Sequence, residues 1–265
     1  MRRASLAAAM ALAALPVAAQ ASAWPEQSGQ WLMIDSLTYY QVGVSGYDAF
    51  GRPVGTGTYR QTEFSPYIEY GVNNRWTVGM QPRLQYVTQS GLPGTKGTFG
   101  LVQWNLFLRY ALYQDDWNVV SVQGTVGLPG TANGDEPLLA QPNSEYEARL
   151  LYGRGFVLPN GWHGFADFET GYRIESNGWA DQFRGDATLG LNVTPNWLVM
   201  AQSFNTVSVG NAKPGESDYD LYRVELSAVR TLTPHISLQF GAWHDAGGRQ
   251  IALGNAGVLA IWLRY

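Results

Sequence analysis

Charged side chains recur at every second position in segments whose alternate positions are apolar. They are Asp35, Glu63, Glu69, Arg83, Arg109, Glu147, Arg149, Asp167, Glu169, Arg173, Arg184, Asp186, Arg223, Glu225 and Arg264. Seven are arginines, eight are carboxylates and none is a lysine. A guanidinium keeps its proton, and its planar fork meets carboxylates bidentately, so arginine suits a confined interior. Two kinds of chemistry fit this set. One is an ion-pair network that holds a narrow interior together; the other is a charged constriction that sorts small polar or ionic solutes. The near balance of signs supports both. Glu63, Glu69, Arg83, Arg109, Arg149, Asp167, Glu169, Arg184 and Glu225 are the candidate lumen-lining residues.

Other chemistry is weakly represented. The segment Arg173-Ile174-Glu175-Ser176-Asn177-Gly178 faintly resembles the His-x-Ser-Asn pattern of lipid-modifying outer-membrane enzymes, the phospholipase and lipid A deacylase families. Ile174 stands where the histidine belongs, so Ser176 lacks a general base at that spacing. Of the three histidines, His163 and His235 fall at turns and His244 is expected near the outer rim. The expectation is therefore a non-enzyme with no catalytic residue. Asp181, Asp186, Glu216 and Asp245 read as solvated carboxylates near the outer loops rather than as a cation site. The glycines from Gly51 to Gly57 lack the Gly-Lys-Ser/Thr of a phosphate loop. No cofactor and no metal site is expected, and the absence of cysteine excludes thiol chemistry.

The elements that must position these charges are strands. Arg2 and Arg3, the apolar run Leu6–Val17 and Ala21-Ser22-Ala23 have the order of a secretory signal. Cleavage after Ala23 divides the chain into a leader, 1–23, and a single domain, 24–265. Beyond the leader no run approaches 18 apolar residues, so no helical span is expected. Charged residues make up only 14%, against about 25% in soluble domains. Without Arg2 and Arg3 there are 15 basic and 21 acidic residues, a net charge of −6 that argues against a nucleic-acid partner.

Five polar turns precede a large apolar residue: 73–75 before Trp76, 114–116 before Trp117, 159–161 before Trp162, 194–196 before Trp197 and 233–235 before Ile236. Their separations of 41, 45, 35 and 39 residues fit two strands plus a loop. An aromatic at one level of a repeated hairpin marks a water–lipid boundary. Trp76, Trp162 and Ile236 are the expected girdle residues. Alternation predicts twelve strands, 30–42, 59–71, 76–88, 99–113, 117–127, 145–158, 162–174, 180–193, 197–208, 219–232, 236–245 and 255–265. The faces of the fifth and ninth are not assignable from pattern. Pro66 and Pro82 fall inside strands and read as bulges. The short turns belong with the termini on the periplasmic side, and the longer Gly- and Asp-rich connections read as extracellular loops.

The chain closes on Leu259, Ile261, Leu263 and Tyr265 at alternate positions. This resembles the terminal strand that bacterial outer-membrane barrels present to the barrel-assembly machinery. The run Tyr67-Ile68-Glu69-Tyr70-Gly71-Val72-Asn73-Asn74-Arg75-Trp76-Thr77-Val78-Gly79 is similar to the strand–turn–strand phrase of proteobacterial barrels that include transporters of the phenol meta-degradation pathway type. Asp181 to Gly190 is a similar phrase. The resemblance implies an outer-membrane barrel and carries over no binding residue. The expected protein is all-β: an antiparallel up-and-down transmembrane barrel of about twelve strands in the bacterial outer membrane. Its surroundings would be membrane lipid and lipopolysaccharide, and its function a passive channel with a small-solute cargo. A closed barrel with a structural or surface-interaction role stands second, and a lipid-modifying enzyme third.

Overall fold

The computed structural model describes residues 23–47, 53–90, 96–130, 139, 143–216 and 218–265. The leader, apart from Ala23, lies outside them. Twelve strands follow in order: β1 Trp31–Tyr47, β2 Pro53–Gly71, β3 Trp76–Gln89, β4 Lys96–Gln114, β5 Asn118–Pro129 and β6 Glu145–Val157, then β7 His163–Glu175, β8 Gln182–Thr194, β9 Trp197–Ser208, β10 Asp220–Thr233, β11 Ile236–Arg249 and β12 Asn255–Arg264. Each strand pairs antiparallel with its sequence neighbours, and β1 pairs with β12, which closes the barrel. Closure leaves no strand edge unpaired, the condition for placing a sheet in lipid. Trp31 and Tyr265 exchange backbone hydrogen bonds at 2.7 and 3.0 Å, so the start of β1 and the residue after β12 share the rim that carries the five short turns. The expected boundaries hold to within a few residues at this turn end. At the loop end β1, β2, β4 and β11 run further than alternation alone marked, because the hairpins continue above the apolar band.

Alternation sorts the wall into two faces. Phe64, Leu106, Leu150, Phe168, Leu226, Leu238 and Leu259 point outward and stay exposed, as residues that meet lipid rather than water must. At the turn end Trp76 tilts against Tyr110 and Trp31 against Tyr70, each at 4.5 Å between ring centroids. Trp76 and Ile236 open β3 and β11, while Trp162 lies in the turn just before β7. Trp197 also belongs to this outer belt, edge-on to Phe240 at 5.7 Å. Trp117 instead lies over Gly155 on the inward parity.

Three features of the wall depart from simple alternation or from the pattern expected of it. Asp35 falls on the outward parity of β1, between the buried Ile34 and Ser36, and not in the lumen. Val102 turns inward with Gln103, because one extra residue bulges β4 where Arg83 pairs with Gln103 but Leu84 with Leu101. Pro66 and Pro82 are not bulges. The register runs unbroken from Phe64↔Leu84 to Ile68↔Met80, so the prolines face one another and only the ladder is interrupted. Val72 donates to Trp76 at 2.9 Å, which makes even-numbered β2 positions the hydrogen-bonded sites of this pair. Two prolines at such a site remove both N–H donors that it would exchange.

The inside is not uniformly polar. At the turn end, inward Leu32, Ile34, Tyr67, Phe107, Phe165, Leu198, Met200, Val229, Ala260 and Trp262 form one buried apolar cluster. Chain preceding β1 completes it: Trp24 packs edge-on to Phe165 at 6.2 Å, and Ala23 joins Ala111, Val119 and Leu151. This explains the illegible strands. β5 and β9 do alternate, with Val119, Ser121, Gln123 inward on one and Leu198, Met200, Gln202 inward on the other. Their turn-end inward residues are apolar because the space they face is filled by protein.

Candidate functional site

Above the apolar layer the lumen holds a cavity of about 840 Å³. Its wall is mainly polar: Ser36, Gln61, Gln81, Gln85, Gln103, Gln202 and Gln239 alternate with charged groups. It reaches the loop end at Trp179, Tyr219 and Ile251. Leu139, from the connection between β5 and β6, packs on Val87 and Val102 inside this space. Asn143 of the same connection donates to Glu175.

The nine candidate lining residues divide by depth. Glu63, Arg83, Arg149, Arg184 and Glu225 line the cavity. Arg83 reaches Glu63 with Nε at 3.2 Å and Nη2 at 2.9 Å, a bidentate grip across β2 and β3. Arg149 meets Glu147, Glu169 (2.7 Å) and Asp186, while Arg173 takes Glu145 at 2.7 Å and Glu147 at 2.6 Å. These residues form a ladder across β6, β7 and β8, which register pairing brings side by side. Arg184 differs from the others. It makes no ion pair or hydrogen bond among the described residues, and its buried Nε has no partner. Among the described residues Glu225 accepts only from Gln239, at 3.4 Å.

Glu69, Arg109, Asp167 and Glu169 lie deeper, within the closed layer. Arg109 is fully buried and spends its guanidinium on Glu69 (2.7 Å), Gln123 (3.0 Å), the Tyr67 hydroxyl (3.1 Å) and the Trp24 carbonyl (3.2 Å). Tyr67 in turn donates to Glu69 and stacks on Phe107 at 5.3 Å. Every polar group that this arginine buries therefore has a partner, the condition under which a buried charge is tolerated.

Pattern reading missed a second cluster on the cavity wall. The Arg223 guanidinium lies 3.4 Å above the Trp243 ring, and its Nε donates to Asp245 at 2.8 Å. Tyr40 stacks on the other partner, Trp243, at 4.9 Å and donates to Asp245 at 3.1 Å. The signal lies in the inward parity Gly241, Trp243, Asp245 of β11, which places Asp245 within the strand and not among the outer-loop carboxylates.

The remaining candidates are engaged elsewhere. Ser176 accepts from the Ser144 amide at 2.7 Å, whereas His244 lies on β11 and contacts Asn255 at 2.8 Å. The two do not form a nucleophile–base pair. Partial burial pushes the Asp181 carboxyl up, but the Glu175 amide, Asn211 and Tyr172 all donate to it and hold it below the usual carboxylate range. Asp186 serves Arg149, and Asp245 serves Arg223.

A closed antiparallel wall with an apolar exterior and a charged interior defines the transmembrane β-barrel class. The comparisons agree on that fold. An outer-membrane channel of Pseudomonas putida F1 superposes with a TM-score of 0.68 at 11% identity, covering 94% of this chain and all of that one. The translocator domain of the autotransporter NalP of Neisseria meningitidis gives 0.51 at 11% identity, over 91% of this chain and 90% of that one. The NanC porin gives 0.50 at 8% identity, over 86% and 98%. At such identities the likeness is one of fold. No protein-family model matches the chain, and no curated protein matches it in sequence.

Proposed function

We propose that the chain is an outer-membrane channel for small polar or ionic solutes, exported by its leader and set in the outer membrane among lipid and lipopolysaccharide. The short-turn end faces the periplasm in this reading, and Leu259, Ile261, Leu263 and Tyr265 supply the strand offered to the assembly machinery. The observation that carries it is the cavity of about 840 Å³, lined largely by polar and charged side chains, beneath the loop end. A satisfied structural core needs no space of that size; a solute vestibule does. Arg83 with Glu63 and the Arg149 ladder would set size and charge preference, with diffusion as the mechanism and no catalytic residue.

One observation favours a second reading. The turn-end half is closed by the Tyr67–Arg109–Glu69 layer and the apolar cluster around Trp24. A barrel of permanently closed lumen, with a structural or surface-interaction role, would look the same. Planar-bilayer recording of the refolded protein separates the two. Stepwise current that moves toward cation preference in Arg83→Gln is the expected outcome; silence at every voltage would remove the channel reading.

A further inference from the structure

The chain before β1 does not trail away from the barrel but enters it. Gly29 donates to the Gly71 carbonyl at 2.7 Å, and Ser28 forms a parallel bridge with Gly71 at the rim. The Glu26 amide reaches Thr77 Oγ1 at 3.0 Å, and the Trp24 carbonyl accepts from Arg109 at 3.2 Å. Deepest, Ser121 Oγ donates to the Ala23 carbonyl at 2.5 Å and the Ala23 amide donates to Asp167 Oδ2 at 2.8 Å. The Trp24 ring covers Gly153, where any Cβ would fall 2.5 Å from it. These contacts come from β2, β3, β4, β5, β6 and β7, half of the wall. They consist of individual side chains fitted to single backbone groups, so this segment has a built seat.

The seat also carries a charge bias. Asp167 is buried, yet no arginine or lysine among the described residues comes within ion-pair distance of it. Its neighbour Glu169 shares Arg149 with Glu147 and Asp186. A buried carboxylate without a counter-charge is costly unless a cation is brought to it.

We propose that residues 24–29 are a tethered plug for the proposed channel, and that the Ser121–Asp167 recess, which Ala23 fills in the unprocessed chain, is the binding site for the plug's new amino end. Leader removal after Ala23 creates an α-ammonium on Trp24, beside this recess, and so supplies the missing positive charge. The plug is then ionically latched only in the processed protein. This rests on the channel reading for its purpose, but its geometry can be tested separately.

The native chain has no cysteine, so single cysteines report accessibility cleanly. Ser121→Cys and Thr77→Cys, each at a fully buried position, are treated with a membrane-impermeant maleimide in the folded, processed protein and in a deletion of residues 24–27. Protection in the full chain and at least tenfold faster labelling in the deletion is the expected result. Asp167→Asn should fall between, with Thr77→Cys as the reporter, and a heat-shift gel confirms that each barrel is folded. Equal protection with and without residues 24–27, or rapid labelling of the full chain, would overturn the plug. Bilayer conductance is recorded in parallel. Larger current in the deletion supports plug and channel together, while faster labelling without current keeps the plug and removes the channel.

Discussion

Arg109 Nη2 and Glu69 Oε1 lie 2.7 Å apart with both side chains sealed from solvent, outside the lining of the cavity of about 840 Å³. This pair marks the level at which the lumen changes from polar vestibule to closed layer. Its members sit on β4 and β2, separated by β3, whose Gly79 leaves space for the Phe107 ring. On that strand Gly79 lies opposite Glu69 and Thr77 opposite Arg109, so the pair reaches diagonally across it.

Removing one partner strands a buried charge. Arg109→Met or Glu69→Gln should each destabilise the barrel by about 3–5 kcal/mol, and the double variant by clearly less than the sum. Urea unfolding from lipid vesicles reads both. Additive losses would show that the two groups do not act as a pair.

The facing of Pro66 and Pro82 leaves two ladder hydrogen bonds unmade between β2 and β3. Restoring donors with Pro66→Val and Pro82→Val together should stabilise the folded barrel by about 1–2 kcal/mol, from roughly 1 kcal/mol per bond. Unchanged unfolding midpoints would mean that the strands stand too far apart there to bond.

Asp115 caps the turn between β4 and β5. The Tyr113 hydroxyl donates to it at 2.7 Å, the Trp117 amide at 2.8 Å and the Asn118 amide at 2.7 Å, and these bonds hold its pKa down at about 2. A depressed carboxyl stabilises the fold above the unfolded value near 3.8 and loses that contribution as pH falls toward 2. The stability difference between the natural protein and Asp115→Asn should be constant at neutral pH and shrink between about pH 4 and pH 2. A pH-independent difference would show that the carboxylate is not what these donors favour.

Trp24 fits against Gly153 only because that position has no Cβ. Gly153→Ala should push the ring out of its seat, which a red shift of tryptophan emission and faster labelling at Ser121→Cys would record. An unaltered spectrum would place the ring elsewhere in solution.

At the turn end, Trp76→Ala removes the contact with Tyr110 at 4.5 Å, worth about 0.5–1.5 kcal/mol beyond area. Trp117→Ala, on the inward parity over Gly155, should cost less than Trp76→Ala. Folding midpoints in vesicles distinguish the two positions.

The sequence alone determined the strand number, the closure and the end of the barrel that carries the termini. Lipid imposes that legibility: an outward side chain in hydrocarbon has to be apolar, so Leu106, Leu150 and Leu238 announce their face without knowledge of any neighbour. The inward face carries no such universal constraint. A side chain there is polar where it meets water, as at Gln103 and Arg83, and apolar where it meets protein, as at Val119, Leu198 and Met200. Only the tertiary structure decides which of these it meets. Ala23 and Trp24 fill the turn-end half from a segment far from β7 and β9 in sequence, and the bulge at Val102 and the facing prolines depend on register between strands. The division of nine charged residues into five at a cavity and four in a sealed layer follows from that filling, because burial is a property of the space around a residue and not of its place in an alternating pattern.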